Sequence, residues 1–427
     1  MENLSLFDFD YLQPRVSKCE TNHFHIVLDS DLRWPFCLND NKTRGLFMHE
    51  YIHYVQHLST LCGISLSMHY NKLFVEYRIY FEEHNTIKLP LILGDTTPQL
   101  KRFFEYFNMI KGSRVYHNRL DDLDCNPELI EKAKEERKAV SLTAYNEERQ
   151  EWDIINHINL GYYAIVESMA DMIQRIYDPD VEHDTIPYLA VQKVCEKIYP
   201  EISRDYRMMV SICICALMYS NPGVGLFEAI NYAKNNPGIN GYFLYNHFIK
   251  ENSLCLPSGE EITIHDMFVK QLTEYKKTID IVFGGHIGYY GKAIDNAMIG
   301  ATSGNNALLA LLYDDSIPAS EYICHLADFY GYPYIEAKDL TLWPGEEKRA
   351  IDVAVAVGFE LLYKRFTNKI STECPRAEMC KSYGKYTYEC KYDQWNHIEP
   401  CPFTSAVHVF NLKGKTFEQE MFDIKMK

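Results

Sequence analysis

The chain has 427 residues, 47% hydrophobic and 24% charged, which excludes a disordered, collagen-like or fibrous protein. Single domains rarely grow much past about 250–300 residues, so two lobes or one elaborated domain are expected. The 59 acids outnumber 43 Lys and Arg, for a formal net charge of −16. Such a balance argues against a nucleic-acid partner, whose phosphates are held by Lys and Arg.

The N-terminal stretch MENLSLFDFDYLQPRVSKCE has early acids, a proline and no apolar core, so it does not read as a signal peptide. No run approaches the roughly 18 apolar residues of a membrane span. No membrane partner is therefore expected, and a cytoplasmic location is. Of the 13 cysteines, nine are scattered from Cys19 to Cys324, some in apolar runs such as Cys213 and Cys215, as reduced core thiols are.

In chain order, His23 to Leu28 reads as a strand. From Arg44 to Leu61, Met48, Tyr51, Ile52, Val55 and Leu58 recur at helical steps, with Gly63 as the expected stop. A second helix is expected over Ile64 to Phe81, and KLPLILGDTTPQ reads as a short strand or loop. Residues 100 to 152 are more polar; EKAKEERKAV has no broad apolar face and predicts a solvated helix or an insertion. A helix follows from Gly161 to about Ile176, then two or three more from 186 to 235. Asn-Pro-Gly turns at 221–223 and 236–238 bracket a short helix. Glycine-rich stretches at 284–291 and 300–304 predict loops or close backbone approach, and a last helix is expected over Glu346 to Phe366. The pattern predicts an α+β fold, predominantly helical.

The sharpest motif is His49-Glu50-Tyr51-Ile52-His53. Two histidines four residues apart on a helix project from one face, so both rings can reach one tetrahedral zinc ion. Glu50, beside the first, is placed to take a proton from an attacking water. A catalytic zinc needs a third protein ligand and an open position. In Gly161–Asp171, the residues Ala164, Ile165 and Met169, with Met172 and Ile173 beyond, form an apolar stripe. Glu167 is set among them, where an unpaired carboxylate is costly. Asp171 faces the same way. A ligand at Glu167 and a histidine-holding acceptor at Asp171 would account for both acids.

These two motifs, H-E-x-x-H and E-x-x-x-D, resemble the gluzincin branch of the zincin metallopeptidases. The resemblance implies a zincin-like core with a small sheet beside the first motif helix. It implies His49, His53 and Glu167 as zinc ligands, Glu50 as general base, and Asp171 bonded to a ligand histidine, His49 being the expected one. Only the two motif helices carry it, and the long gap from His53 to Glu167 makes the polar 100–152 region an insertion. The division expected is a catalytic core over 1–185, a mostly helical lobe over 186–368 completing the cleft, and a cysteine-rich tail over 369–427.

Other positions compete for roles. His57 continues the ladder one turn on, but about 6 Å further along the axis, so a place lining the cleft or paired with an acid suits it better than ligation. Glu76, Glu82, Glu83 and His84 are rival third ligands, although Glu82-Glu83-His84 reads as a solvated helix end. A peptidase also needs a donor for the oxyanion. His286 and Tyr289, with Tyr290, in GGHIGYYG are candidates, against ordinary aromatic packing, and His157 is a weaker one. Cys374, Cys380, Cys390 and Cys401 crowd one short stretch without CxxC knuckles. They read as a second, structural zinc site, with His397 able to replace one, or as unliganded or redox-active thiols, or as an iron–sulfur cluster.

The leading reading is a zinc endopeptidase of restricted specificity, with a protein or peptide substrate and a regulatory partner protein. The alternatives are a non-catalytic, zinc-stabilised interaction protein and a zinc hydrolase of non-peptide amides.

Overall fold

The structure is a computed structural model. It describes residues 18–20, 25–29, 40–89, 91, 98–113, 122–146, 151–256, 258–284, 288–337 and 342–343, and then 355, 358–359, 361–362, 366, 374, 377–382, 384–392, 394–397 and 401–419; the side chains of 18, 20, 146, 151–157, 289, 342–343, 378–379, 392, 396 and 419 are not among what is described. The fold is predominantly helical with a few small sheets, as the sequence predicts.

Strands β1 (Lys18–Glu20) and β2 (His25–Val27) lead into helix α1 (Asn41–Ser59). Asp40 caps α1 by accepting from the Thr43 amide at 2.7 Å. From Phe47 to Ser59 every residue except His53 is buried. A helix buried on nearly all sides lies in the centre of the fold, and here it takes the polar His49, Glu50, Gln56 and His57 in with it. The small sheet has the order β1-β2-β9-β10, with β9 at Tyr334–Glu336 and β10 at Leu342–Trp343. Strand β1 packs on α1. On another side of α1, the Tyr51 and Tyr54 hydroxyls donate to the carbonyls of Gly331 and Tyr330.

Helix α2 (Leu61–Glu83) follows after one residue. The expected stop at Gly63 is corrected here. Thr60 breaks the helix: its hydroxyl donates to the Gln56 carbonyl at 2.7 Å and accepts from the Gly63 amide at 3.1 Å. Gly63 lies inside the first turn of α2 and presses on α1. A Cβ there would stand 2.3 Å from the Gln56 carbonyl oxygen, so only glycine fits.

Next come β3 (Thr86–Leu89), α3 (Pro98–Ile110), β4 (Asp122–Asp124), α4 (Pro127–Glu135), β5 (Val140–Asn146) and β6 (Glu151–Leu160). The polar region thus holds an antiparallel sheet β4-β5-β6 and one solvated helix, α4, in which only Ala133 is buried. Strand β6 runs straight into α5 (Tyr162–Tyr177), the second motif helix.

The region after 186 holds four helical segments: α6 (Thr185–Tyr188), α7 (Ala190–Ile198), α8 (Tyr206–Leu217) and α9 (Pro222–Asn235). The first Asn-Pro-Gly is the start of α9, with Pro222 in its first turn, where its missing N–H costs nothing. Then follow α10 (Gly241–Glu251), the hairpin of β7 (Ser253–Cys255) and β8 (Glu261–Thr263), α11 (Ile264–Phe283), α12 (Gly288–Thr302), α13 (Ala307–Leu312) and α14 (Tyr322–Tyr330). The helix expected over 346–366 lies mostly outside the described residues, but Val355, Phe359, Leu362 and Phe366 are helical and buried. One apolar core extends from Ile26 to Leu412. Among the described residues no helix is long and apolar enough to cross a membrane.

Candidate metal centre

Helices α1 and α5 pack against each other along their lengths. Near one end, a Cβ on Gly45 would lie 2.8 Å from the Asp178 Cβ. This close approach brings the two motifs together. His49 Nε2 lies 3.2 Å from Glu167 Oε2, and His53 Nε2 lies 3.6 Å from the same oxygen. The His49 and His53 rings are 5.0 Å apart, edge to face. Two ligand atoms each about 2.0–2.1 Å from a tetrahedral ion stand roughly 3.3 Å apart. The spacings around Glu167 match that geometry. Among the described residues, His49, His53 and Glu167 are the only group of three or more His, Cys, Asp or Glu within such reach.

The electrostatics favour a cation. Burial opposes charge on His53, but Glu167, Glu50 and Gln56 outweigh it and raise the ring to about 9. Burial pushes the Glu167 carboxyl up, and the two histidines reverse this, holding it well below the carboxylate range. Glu167 is therefore an anion with its charge aimed at two rings. Glu50 is buried on α1 next to His49 and stands outside the ligand group. That suits a proton carrier better than a ligand.

Asp171 departs from the arrangement the resemblance implied. It is wholly buried, but it does not meet His49. Its Oδ1 lies 2.7 Å from His183 Nδ1 and its Oδ2 accepts from Arg175 Nε at 2.7 Å. One helical turn past Glu167, the carboxylate has left the His49 ring behind and faces the segment after α5. His183 then stacks on Tyr188 at 4.3 Å. Both rings lie about one ring's width from His49, at 6.0 and 5.9 Å between centroids. His49 Nδ1 is buried with no hydrogen-bond partner among the described residues.

His53, by contrast, has a partner behind its ring in Gln56. Its Oε1 is 2.9 Å from His53 Nδ1, and its Nε2 donates to the Val166 carbonyl at 2.9 Å. Neither Gln56 nor His183 figured in the sequence reading. Gln56 had a signal, a buried polar residue three positions beyond His53 on the motif helix. His183 had none, because it lies between helices.

The remaining candidates fall away from the site. His57 does not line the cleft or meet an acid: it is buried, with Nδ1 near the Gly63 carbonyl (3.2 Å) and the Ser67 hydroxyl (3.1 Å). Burial pushes its ring down to about 3, so it is neutral. Glu82, Glu83 and His84 form the exposed end of α2, with His84 stacked on Tyr80, and Glu76 joins no ligand group. His286 lies outside the described residues, as do the side chains of Tyr289 and His157. The expected loop at 288–291 is instead the start of α12, and Tyr290 is a core residue stacked on Phe283.

Cys374, Cys380, Cys390 and Cys401 are all described, and no three share ligand reach, with or without His397. Among the described residues these cysteines make no group of three that could hold a metal ion. Local bonds occupy two of the thiols. Cys401 Sγ accepts from the Thr404 amide as the cap of helix Pro402–Val409, and Cys390 Sγ accepts from the Thr387 hydroxyl.

Comparison of the chain with protein-family models, curated proteins and solved structures gives no match.

Proposed function

We propose that the chain is a zinc-dependent peptidase, an endopeptidase of restricted specificity acting on a protein or peptide. The observation that carries this reading is the convergence of His49 Nε2, His53 Nε2 and a Glu167 oxygen, with buried Glu50 beside them but outside the ligand group. Two imidazoles and one carboxylate are a donor set suited to zinc with one position left open. A zinc ion held by these three would polarise the scissile carbonyl and acidify the attacking water.

The chain's own groups would supply the rest. Glu50 takes the proton from the water as it attacks and delivers it to the departing amine. Asp171 fixes His183 through Nδ1, leaving Nε2 for the substrate. With Nδ1 held in this way, His183 is the ring assigned to the oxygen that gains charge. Tyr188 sets the plane of the ring.

The test is zinc content per chain by elemental mass spectrometry. Wild type is compared with His49→Ala/His53→Ala, both purified without added metal. Loss of one equivalent in the double variant is expected, and equal metal in both overturns the reading.

A further inference from the structure

We infer that Gln56 is a positioning residue for this metal centre: it dictates which nitrogen His53 presents and ties that choice to the helix carrying Glu167. The inference rests on the zinc reading above.

Gln56 is 1% exposed, one turn beyond His53. Its amide bridges two groups, the Val166 carbonyl and the His53 ring. A backbone carbonyl can only accept a hydrogen bond, so the amide nitrogen of Gln56 must face Val166. The amide oxygen therefore faces His53, and it too can only accept. Nδ1 of His53 must then carry the hydrogen. In the neutral ring this leaves the lone pair on Nε2, the atom 3.6 Å from Glu167 Oε2. A metal ion needs that lone pair. The opposite tautomer would set two acceptors 2.9 Å apart and aim an N–H into the site.

The bridge does a second job. Val166 directly precedes Glu167, so the bond from Gln56 to its carbonyl restrains α5 beside its ligand. Gln56 is itself pinned, since its carbonyl accepts from Thr60 Oγ1 and Gly63 packs against it. Among the described residues His49 has no comparable partner at Nδ1. The protein thus sets the tautomer of one ligand histidine through a two-bond chain that starts at a backbone carbonyl on the other motif helix.

The experiment uses full-length Gln56→Leu, which keeps the bulk and loses both bonds, and Gln56→Glu, which keeps the acceptor toward His53. Zinc dissociation constants are measured by chelator competition well below the melting temperature. The ring nitrogens of ¹⁵N-labelled histidine are read by NMR. Gln56→Leu is expected to weaken zinc about 10–100-fold, the usual effect of removing such an outer partner. Gln56→Glu is expected to recover most of that loss. In zinc-loaded wild type, His53 is expected to carry its proton on Nδ1. A purely structural role would lower the melting temperature and leave zinc affinity unchanged, which overturns the inference. So does a wild-type spectrum with the proton on Nε2, whether or not the leucine variant folds. Wild type that takes up no zinc overturns the zinc reading and with it the role in metal affinity; the proton position on the neutral His53 ring at high pH then decides whether Gln56 sets the tautomer.

Discussion

Asp171 is bonded to His183 at 2.7 Å and not to His49. The buried carboxylate therefore organises the wall beside the His49–His53–Glu167 group, and not one of its members. This separates two effects that would otherwise coincide, loss of metal and loss of chemistry.

Asp171→Asn should cost about 2–3 kcal/mol of stability, because a buried carboxylate with two charge-assisted partners is replaced by an amide. Part of the full penalty is spared, since Arg175 is one-third exposed and can reach water. Zinc content should be unchanged. Thermal denaturation and elemental analysis of the same preparation check both halves.

Glu50→Gln should retain the fold and the zinc, yet lower turnover by about 10²–10⁴-fold, the usual contribution of a general base. A peptide library read by mass spectrometry, with wild type as reference, gives the ratio. Loss of zinc in this variant would instead make Glu50 a ligand.

His183→Phe should keep the stacking on Tyr188 and lose the Nε2 donor. Turnover should fall by about 10²–10³-fold, as when one oxyanion donor is removed, with zinc affinity unaltered. Steady-state kinetics and zinc titration of the variant decide it.

The metal-free protein should lose stability as pH rises from 6.5 through 9. His53 has a folded value raised from 6.5 to about 9, so its contribution is complete below the unfolded value and vanishes above the folded one. The loss is at most about 3 kcal/mol. At pH 7 zinc must displace that proton, so loading should release about one proton per ion. Melting curves against pH, and calorimetry in buffers of different ionisation enthalpy, measure the two effects.

Gly63→Ala should destabilise strongly, by several kcal/mol, because the added methyl meets the Gln56 backbone and not a movable side chain. A melting temperature within a degree of wild type would contradict the packing described for the α1–α2 junction.

How much of this was legible beforehand follows from the range of each interaction. The i,i+4 spacing of His49 and His53 is local helix geometry, and any chain that makes α1 places both rings on one face. Glu167 could be found because a carboxylate in an apolar stripe needs a partner. The stop of α1 was misplaced by four residues, at Gly63 and not Ser59, because glycine serves both as a helix end and as a point of close approach. The glycines at 288–291 misled in the same way, since the segment is helical.

The mostly helical fold, the two motif helices and the three side chains that could hold a metal are legible in the sequence, because periodicity and burial act within one element. Only the packing of α1 on α5 sets the His49 and His53 Nε2 atoms 3.2 and 3.6 Å from one Glu167 oxygen. The tertiary structure also decided that Asp171 turns to His183, that Gln56 bridges His53 and Val166, and that the four late cysteines make no group of three within ligand reach among the described residues. Those outcomes depend on how whole elements pack, since a hydrogen bond forms or fails within a few tenths of an ångström. No spacing along the chain carries that information.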